Sequence, residues 1–251
     1  RPRLCKQVRP RVCGAALGDP DPKGGAAIIY APTRMGSEQE AIRLSRAGWG
    51  AGFYHAGLEP AERERTQRRF MERELQIVVA TNAFGMGIDR GDVRAVIHLA
   101  PPASIESYYQ EVGRAGRDGE RAYGMLLTAP TDLPLRRRLI ESGSDGGQVR
   151  EAVVEHKWGM FLELMRWVEG GSCRHDAILR YFGERVPGDL DCRNCDNCLR
   201  DETPAHRQAG VFGLYTGRRD PDEPAVRKAV SSAVEDLGPK GLDRPAVGRI
   251  V

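Results

Sequence analysis

The sequence predicts an α/β protein. It should contain an open, mostly parallel sheet with helices on both faces, followed by a small helical unit carrying a cysteine cluster. Three observations lead there. Between Ala26 and Thr128, short apolar runs alternate with longer segments of helical spacing, the alternation that builds parallel sheets through helical crossovers. Beyond Pro134 the short apolar runs stop and only helical spacing continues. Four of the six cysteines then fall as Cys173-x18-Cys192-x2-Cys195-x2-Cys198, a grouping unlike a disulfide framework in a chain of this length.

Each element has its own justification. Residues 1–133 are assigned to the sheet domain, 134–200 to the cysteine unit, and 201–251 to a linker plus the start of a further helical segment. Residues 14–25 are rich in Gly, Pro and Asp and read as a loop; Cys5 and Cys13 nearby fit no ligand pattern and read as free thiols. Ala26–Tyr30 is a short apolar run suited to a buried parallel strand. Ser37–Arg46 has helical spacing, with Ser37 as N-cap and Glu40 three residues on, as in a capping box. Ala51–Tyr54 is the next strand and Pro60–Met71 a heavily charged helix; Gln76–Ala80 and Ala95–Leu99 are strands, Ser104–Gly113 a helix, and Tyr123–Thr128 the last strand. Leu135–Ile140 and Val149–Glu169 follow as helices. In the second, Val154, Trp158, Phe161, Leu162, Met165 and Val168 form an apolar stripe, expected to pack beneath the cysteine cluster. Cys173 opens a helix Arg174–Phe182, Arg200–Glu223 is a polar linker, and Pro224–Leu237 reads as one more helix.

Composition sets outer bounds. With 40% hydrophobic and 29% charged residues the chain has ordinary globular proportions. A net charge of +3 permits nucleic-acid binding without arguing for it. No apolar run approaches the roughly 20 residues that span a bilayer, so no membrane partner is expected. Clustered cysteines favour a metal site in a reducing, intracellular compartment, cytoplasmic or nuclear.

Three stretches carry chemistry. In Gln110-Glu111-Val112-Gly113-Arg114-Ala115-Gly116-Arg117-Asp118-Gly119, helical spacing would put Gln110, Arg114 and Arg117 on one face. Paired guanidiniums there suit phosphate oxygens, including charge developing during phosphoryl transfer. Thr81, Asn82 and the turn Gly85-Met86-Gly87 follow a strand end, where short polar groups and backbone N–H groups can meet a phosphate or a ribose. Asp89 could accept from a ribose hydroxyl or order the loop. His55, at another strand end, reads equally as a hydrogen-bonded structural histidine or a nucleic-acid contact; of Tyr108 and Tyr109, one is expected to pack the core. The four thiolates of Cys173, Cys192, Cys195 and Cys198 can close a tetrahedral structural Zn2+ shell. A redox Cys-x-x-Cys and an iron–sulfur cluster are the other readings of the ligand type, and His175 could compete with Cys173.

These strings together resemble the RecQ family of superfamily 2 DNA helicases. QEVGRAGRDG is similar to the family's sixth motif, Gln76–Asp89 to its fifth, and Ala27–Arg34 to its fourth, with Tyr54-His55-Ala56-Gly57-Leu58 between them. Arg1-Pro2-Arg3-Leu4 resembles the opening of the second motor domain, and Tyr181-Phe182-Gly183-Glu184 with the cysteine knuckle resembles the family's zinc domain. The resemblance implies a RecA-like second motor domain of an ATP-dependent, 3′–5′ DNA helicase serving recombination and repair. It implies Arg117 as arginine finger and Arg114 as a γ-phosphate or interface group. Gln110, Asp89 and Gly87 would lie on the nucleotide side, with Thr81, Asn82, His55 and Arg34 on the nucleic-acid side.

The other half of a motor is not in this sequence. No G-x-x-x-x-G-K-[ST] loop and no Asp-Glu-x-His box occur in it. ATP and Mg2+ are therefore expected only together with a first RecA-like domain upstream, and this chain alone is not expected to hydrolyse ATP. Single-stranded and forked DNA are the expected partners. Two rival readings stand beside this one: an RNA helicase of the same superfamily, and a stand-alone zinc-containing DNA-binding or regulatory module without ATPase activity.

Overall fold

The computed structural model describes residues 25–85, 88–129, 131–143, 148–185, 192 and 194–198. Expectations for residues 1–24, for Met86 and Gly87, and for everything after residue 198 lie outside the described residues.

Five strands form one sheet: β1 (Ala26–Tyr30), β2 (Ala51–Tyr54), β3 (Ile77–Ala80), β4 (Val93–His98) and β5 (Tyr123–Leu126). Their order is β2-β3-β1-β4-β5, and every described pairing is parallel. A strand flanked on both sides and covered on both faces has no solvated side. Accordingly, β1 is buried at every residue.

Helix α1 (Arg34–Arg46) covers one face. Its Ala41 and Leu44 pack with Trp49, Ala27, Ile29, Ile77 and Ile97. Helices α2 (Pro60–Met71) and α3 (Ile105–Val112) cover the other, where Phe70 and Tyr108 join Ile28, Tyr30, Val78 and Val96. The predicted sheet with helices on both faces is therefore the observed one. Beyond it come α4 (Asp132–Ser142), α5 (Gln148–Glu169) and α6 (Arg174–Tyr181). Among the described residues no helix is long and apolar enough to cross a membrane.

Several element ends shift by up to three residues, as at β4 and α4, and three larger details differ from the expectation, each for a local reason. Helix α1 begins at Arg34, and its N-cap is Thr33, not Ser37: extended Thr33 accepts from the Gly36 N–H at 3.1 Å. A Cβ at Gly36 would stand 2.8 Å from that hydroxyl, so the small residue lets the cap close. Ser37 is buried inside the helix and donates to the Arg34 carbonyl, while Glu40 pairs with Arg43.

Helix α3 is capped by Ser104, whose hydroxyl accepts from the Ser107 N–H at 3.2 Å, and it stops at Val112. Gly116 then takes a left-handed φ of 65° and donates its N–H to the Val93 carbonyl at 2.9 Å. A side chain at Gly116 would meet the Glu120 carbonyl at 2.9 Å. Gln110, Arg114 and Arg117 therefore do not share one helical face; both arginines stand in turns after the helix.

The stripe of α5 is wider than expected. Phe161 and Met165 are buried, but so are Leu164 and Trp167, which join the cluster of the sheet's second face. The Trp167 and Tyr108 rings lie 5.0 Å apart. Tyr108 is fully buried whereas Tyr109 is half-exposed, which settles which tyrosine packs.

Candidate functional site

The carboxyl ends of β1, β3 and β4 gather the polar groups, as open α/β sheets do. Arg114 is held here by two partners. Its Nε donates to the Tyr30 hydroxyl at 3.1 Å and one terminal nitrogen to the Gly85 carbonyl. A Cβ at Gly85 would collide with the guanidinium, so glycine is what lets the arginine lie against the backbone. Tyr30 in turn donates to the Phe84 carbonyl at 3.2 Å and stacks on His98, centroids 5.0 Å apart. Burial, and after it the Glu111 carboxylate, push the Tyr30 phenol far above its usual range, so it stays a neutral hydroxyl that both accepts and donates.

Arg117 is placed differently. It is 41% exposed and donates to the Ile88 carbonyl at 3.2 Å and to Asp89 at 3.0 Å; Asp89 itself is 84% exposed. Sequence positions 28 residues apart are thus brought together in an open ion pair. Gln110 is exposed on the last turn of α3.

On the neighbouring strand ends, Thr81 donates its N–H to the Tyr54 carbonyl at 3.1 Å and Asn82 is exposed. Both line a cavity of about 120 Å³ with Tyr30, His98, Glu111 and Arg136. Glu111 and His98 Nε2 meet there at 2.7 Å, with the imidazole 1% exposed. His55 is buried; its Nε2 lies 2.8 Å from Glu38 and its Nδ1 accepts from the Gly57 N–H at 3.2 Å. Exposed Arg34 lies over Gly57, where a Cβ would stand 2.9 Å from its guanidinium.

The sulfurs of Cys173, Cys192, Cys195 and Cys198 all lie within 4.8 Å of one another, and those of Cys192 and Cys198 are 3.7 Å apart. Tetrahedral Zn–S bonds of about 2.3 Å require sulfurs about 3.8 Å apart. The donor set fits. His175 is not one of the grouped ligands; its Nδ1 lies 3.1 Å from Cys192 Sγ. Burial raises the Cys195 thiol, but hydrogen bonds from His175 and the Arg174 N–H outweigh it and bring it down to about 6.

A buried arginine fastens this knuckle to the fold. Arg174 makes a two-pronged pair with Asp196 at 2.9 and 3.0 Å, and the two side chains are 5% and 2% exposed. It also donates to the carbonyls of Trp167 and Gly170, and its guanidinium lies 5.3 Å from the Trp167 ring centroid. Asn197 donates to Gly170 and Ser172 carbonyls at 2.8 and 2.6 Å.

Residues 14–119 match the helicase conserved C-terminal domain and residues 130–199 the RecQ zinc-binding domain. The chain belongs to the RecQ family. ATP-dependent DNA helicase RecQ of Pasteurella multocida is 41% identical over 199 residues, 78% of this chain and 30% of that one. RecQ of Bacillus subtilis is 39% identical over 72% of this chain and 29% of that one, and the hus2/rqh1 helicase of Schizosaccharomyces pombe 40% identical over 74% and 14%. This RecQ-family chain therefore spans less than a third of the length of these relatives.

Several of its site residues escaped the sequence reading. Tyr30, His98 and Glu111 carry no spacing signal because their meeting depends on three separate elements. Arg174 reads as an ordinary first residue of a helix. Only its place beside Cys173, with an aspartate inside the knuckle, could have marked it.

Proposed function

We propose that this RecQ-family chain is the second motor half and zinc domain of an ATP-dependent DNA helicase moving 3′ to 5′ on single-stranded and forked DNA in recombination and repair. The observation that carries the reading is the placement of Arg117: half-exposed and, among the described residues, tethered only through backbone carbonyls and the open ion pair with Asp89. A guanidinium so held can exchange Asp89 for the phosphates of a nucleotide bound by a facing domain. Arg114, engaged with Tyr30 and Gly85, suits the supporting role of orienting that turn.

ATP and Mg2+ belong to the first RecA-like domain of the complete protein, since the phosphate-loop lysine and the metal-holding acid are not in this sequence. Gln110, Asp89 and Gly87 are assigned to the nucleotide side, and Thr81, Asn82, His55 and Arg34 to the DNA side. Of these, Thr81, Asn82 and Arg34 have the accessible polar groups, whereas His55 supports the loop. Zn2+ held by the four thiolates would supply structural closure and no open coordination position; four clustered thiols suit a reducing compartment, cytoplasm or nucleus.

In the complete enzyme, Arg117→Ala should lower ATP turnover by about a thousandfold or more while ATP binding persists. Near-normal turnover would sink the assignment. Unwinding of DNA forks but not RNA forks separates this reading from an RNA helicase. Single-strand binding without DNA-stimulated turnover in the complete protein would instead support a stand-alone binding module.

A further inference from the structure

The sheet ends at β2, and among the described residues nothing pairs with its outer edge. Gly50 and Tyr54 give their carbonyls to Gln76 and Thr81 on the inner side. By strand alternation, Ala51 and Phe53 turn their backbone groups outward. Both groups of Ala51 are already engaged, its N–H donating to the Trp49 carbonyl at 2.8 Å and its carbonyl accepting from exposed Ser45 of α1 at 3.1 Å, which leaves Phe53 as the open residue of the edge among the described residues. Natural edges are usually guarded by charge, proline or a bulge. The sequence Ala51-Gly52-Phe53-Tyr54 carries neither charge nor proline.

The edge is instead the floor of a groove. Helices α1 and α2 lie on opposite faces of the sheet, yet both overhang β2 and enclose about 750 Å³ with it, the size of a ligand site. Gly52 leaves the floor low, and the Leu75 side chain fills the space where its Cβ would be, 2.7 Å away. Ile42 of α1, 45% exposed, supplies an unpartnered apolar wall.

The rim is basic. Arg46, Arg65 and Arg69 face it against Glu62 alone in the lining. Arg65 is 3.9 Å from Glu62, and Arg69 is 3.0 Å from Glu74, but these side chains are all about half-exposed or more. Such pairs contribute little and exchange readily. Exposed Arg46 makes no ion pair among the described residues.

From these features we infer that the β2 edge is a docking groove for an extended acidic peptide of a partner protein, adding as a strand between α1 and α2. Main-chain bonds to Phe53 would fix the register, the apolar floor would take alternate side chains, and the arginines would select acidic flanks.

The test uses the complete 251-residue chain and fluorescein-labelled peptides of about eight residues, enough to cover a strand of ordinary length. One alternates Glu with Val, a second Lys with Val, and a third is the acidic peptide interrupted by Pro. Anisotropy should show the acidic peptide binding at least about tenfold tighter than either control. Arg46→Glu with Arg65→Glu should remove about tenfold of that affinity, and Arg46→Gln with Arg65→Gln a smaller part. Circular dichroism checks that both variants stay folded, as expected for exposed positions. The Phe53 amide resonance should shift on binding. Equal affinity for the acidic and basic peptides, indifference to charge reversal, or no binding overturns the inference. So does binding of a single-stranded oligonucleotide alone, or self-association through β2 without peptide binding.

Discussion

The two arginine-centred regions of this molecule are built on opposite plans. At the knuckle, Arg174 and Asp196 are both buried and the four sulfurs come from this one chain. At the strand ends, Arg117 and Asp89 form an exposed pair that only borders the fold. A buried pair costs several kcal/mol of desolvation and survives only with full hydrogen bonding, which Arg174 obtains from two carbonyls. An exposed pair contributes little and is easily traded. The knuckle is thus buried and self-contained, whereas the arginine turn is open and its ion pair exchangeable.

Chelation should have the largest effect on this contrast. Structural zinc sites carry binding free energies on the order of 10 kcal/mol, so removing the metal, or Cys195→Ser, should abolish zinc content and unfold the cysteine unit. Metal analysis beside a thermal melt checks this; full stability without zinc would make the knuckle dispensable.

Arg174→Ala comes next. It strands Asp196 in the interior and should cost about 3–5 kcal/mol, read from the denaturation midpoint. Tyr30→Phe deprives Arg114 and the Phe84 carbonyl of a partner, for about 1–3 kcal/mol. Arg117→Ala should change the stability of this chain by no more than about 0.5 kcal/mol. A loss as large as that of Arg174→Ala would erase the contrast.

The smallest effect is a pH effect. The hydrogen bond from Arg90 holds the Asp92 carboxyl below its usual 3.8 despite partial burial. A carboxyl depressed in the folded state stabilises fully above its unfolded pKa and loses that contribution as pH falls through the folded value. Asp92→Asn should therefore flatten the stability curve below about pH 4 and leave its shape above pH 6 unchanged.

How much was legible depended on how local the cause was. The strands and helices of the sheet domain followed from apolar spacing, because parallel strands read as apolar runs and their crossovers as amphipathic helices. The cysteine set was legible for the same reason, since ligand spacing is written along the chain. The end of α3 was not. Arg114 and Ala115 favour continued helix, and what stops it is Gly116 bonding to Val93 on a distant strand. Ser37 looked like a cap because Glu40 follows it at capping-box spacing, yet Thr33 with Gly36 behind it closed the turn first. For α5, one stripe was read where the helix buries a broader face, with Leu164 and Trp167 turned toward Tyr108 and the sheet.

That last packing has a thermodynamic consequence. Trp167 touches both the sheet's cluster and Arg174 of the knuckle. A ligand that binds only the folded state stabilises whatever melts with it, by about 1.4 kcal/mol for each tenfold excess over its dissociation constant. Free zinc should then set the melting temperature of the sheet as well as that of the cysteine unit, and slow exchange of the Val96 and Ile28 amides would report metal concentration from the far side of the molecule.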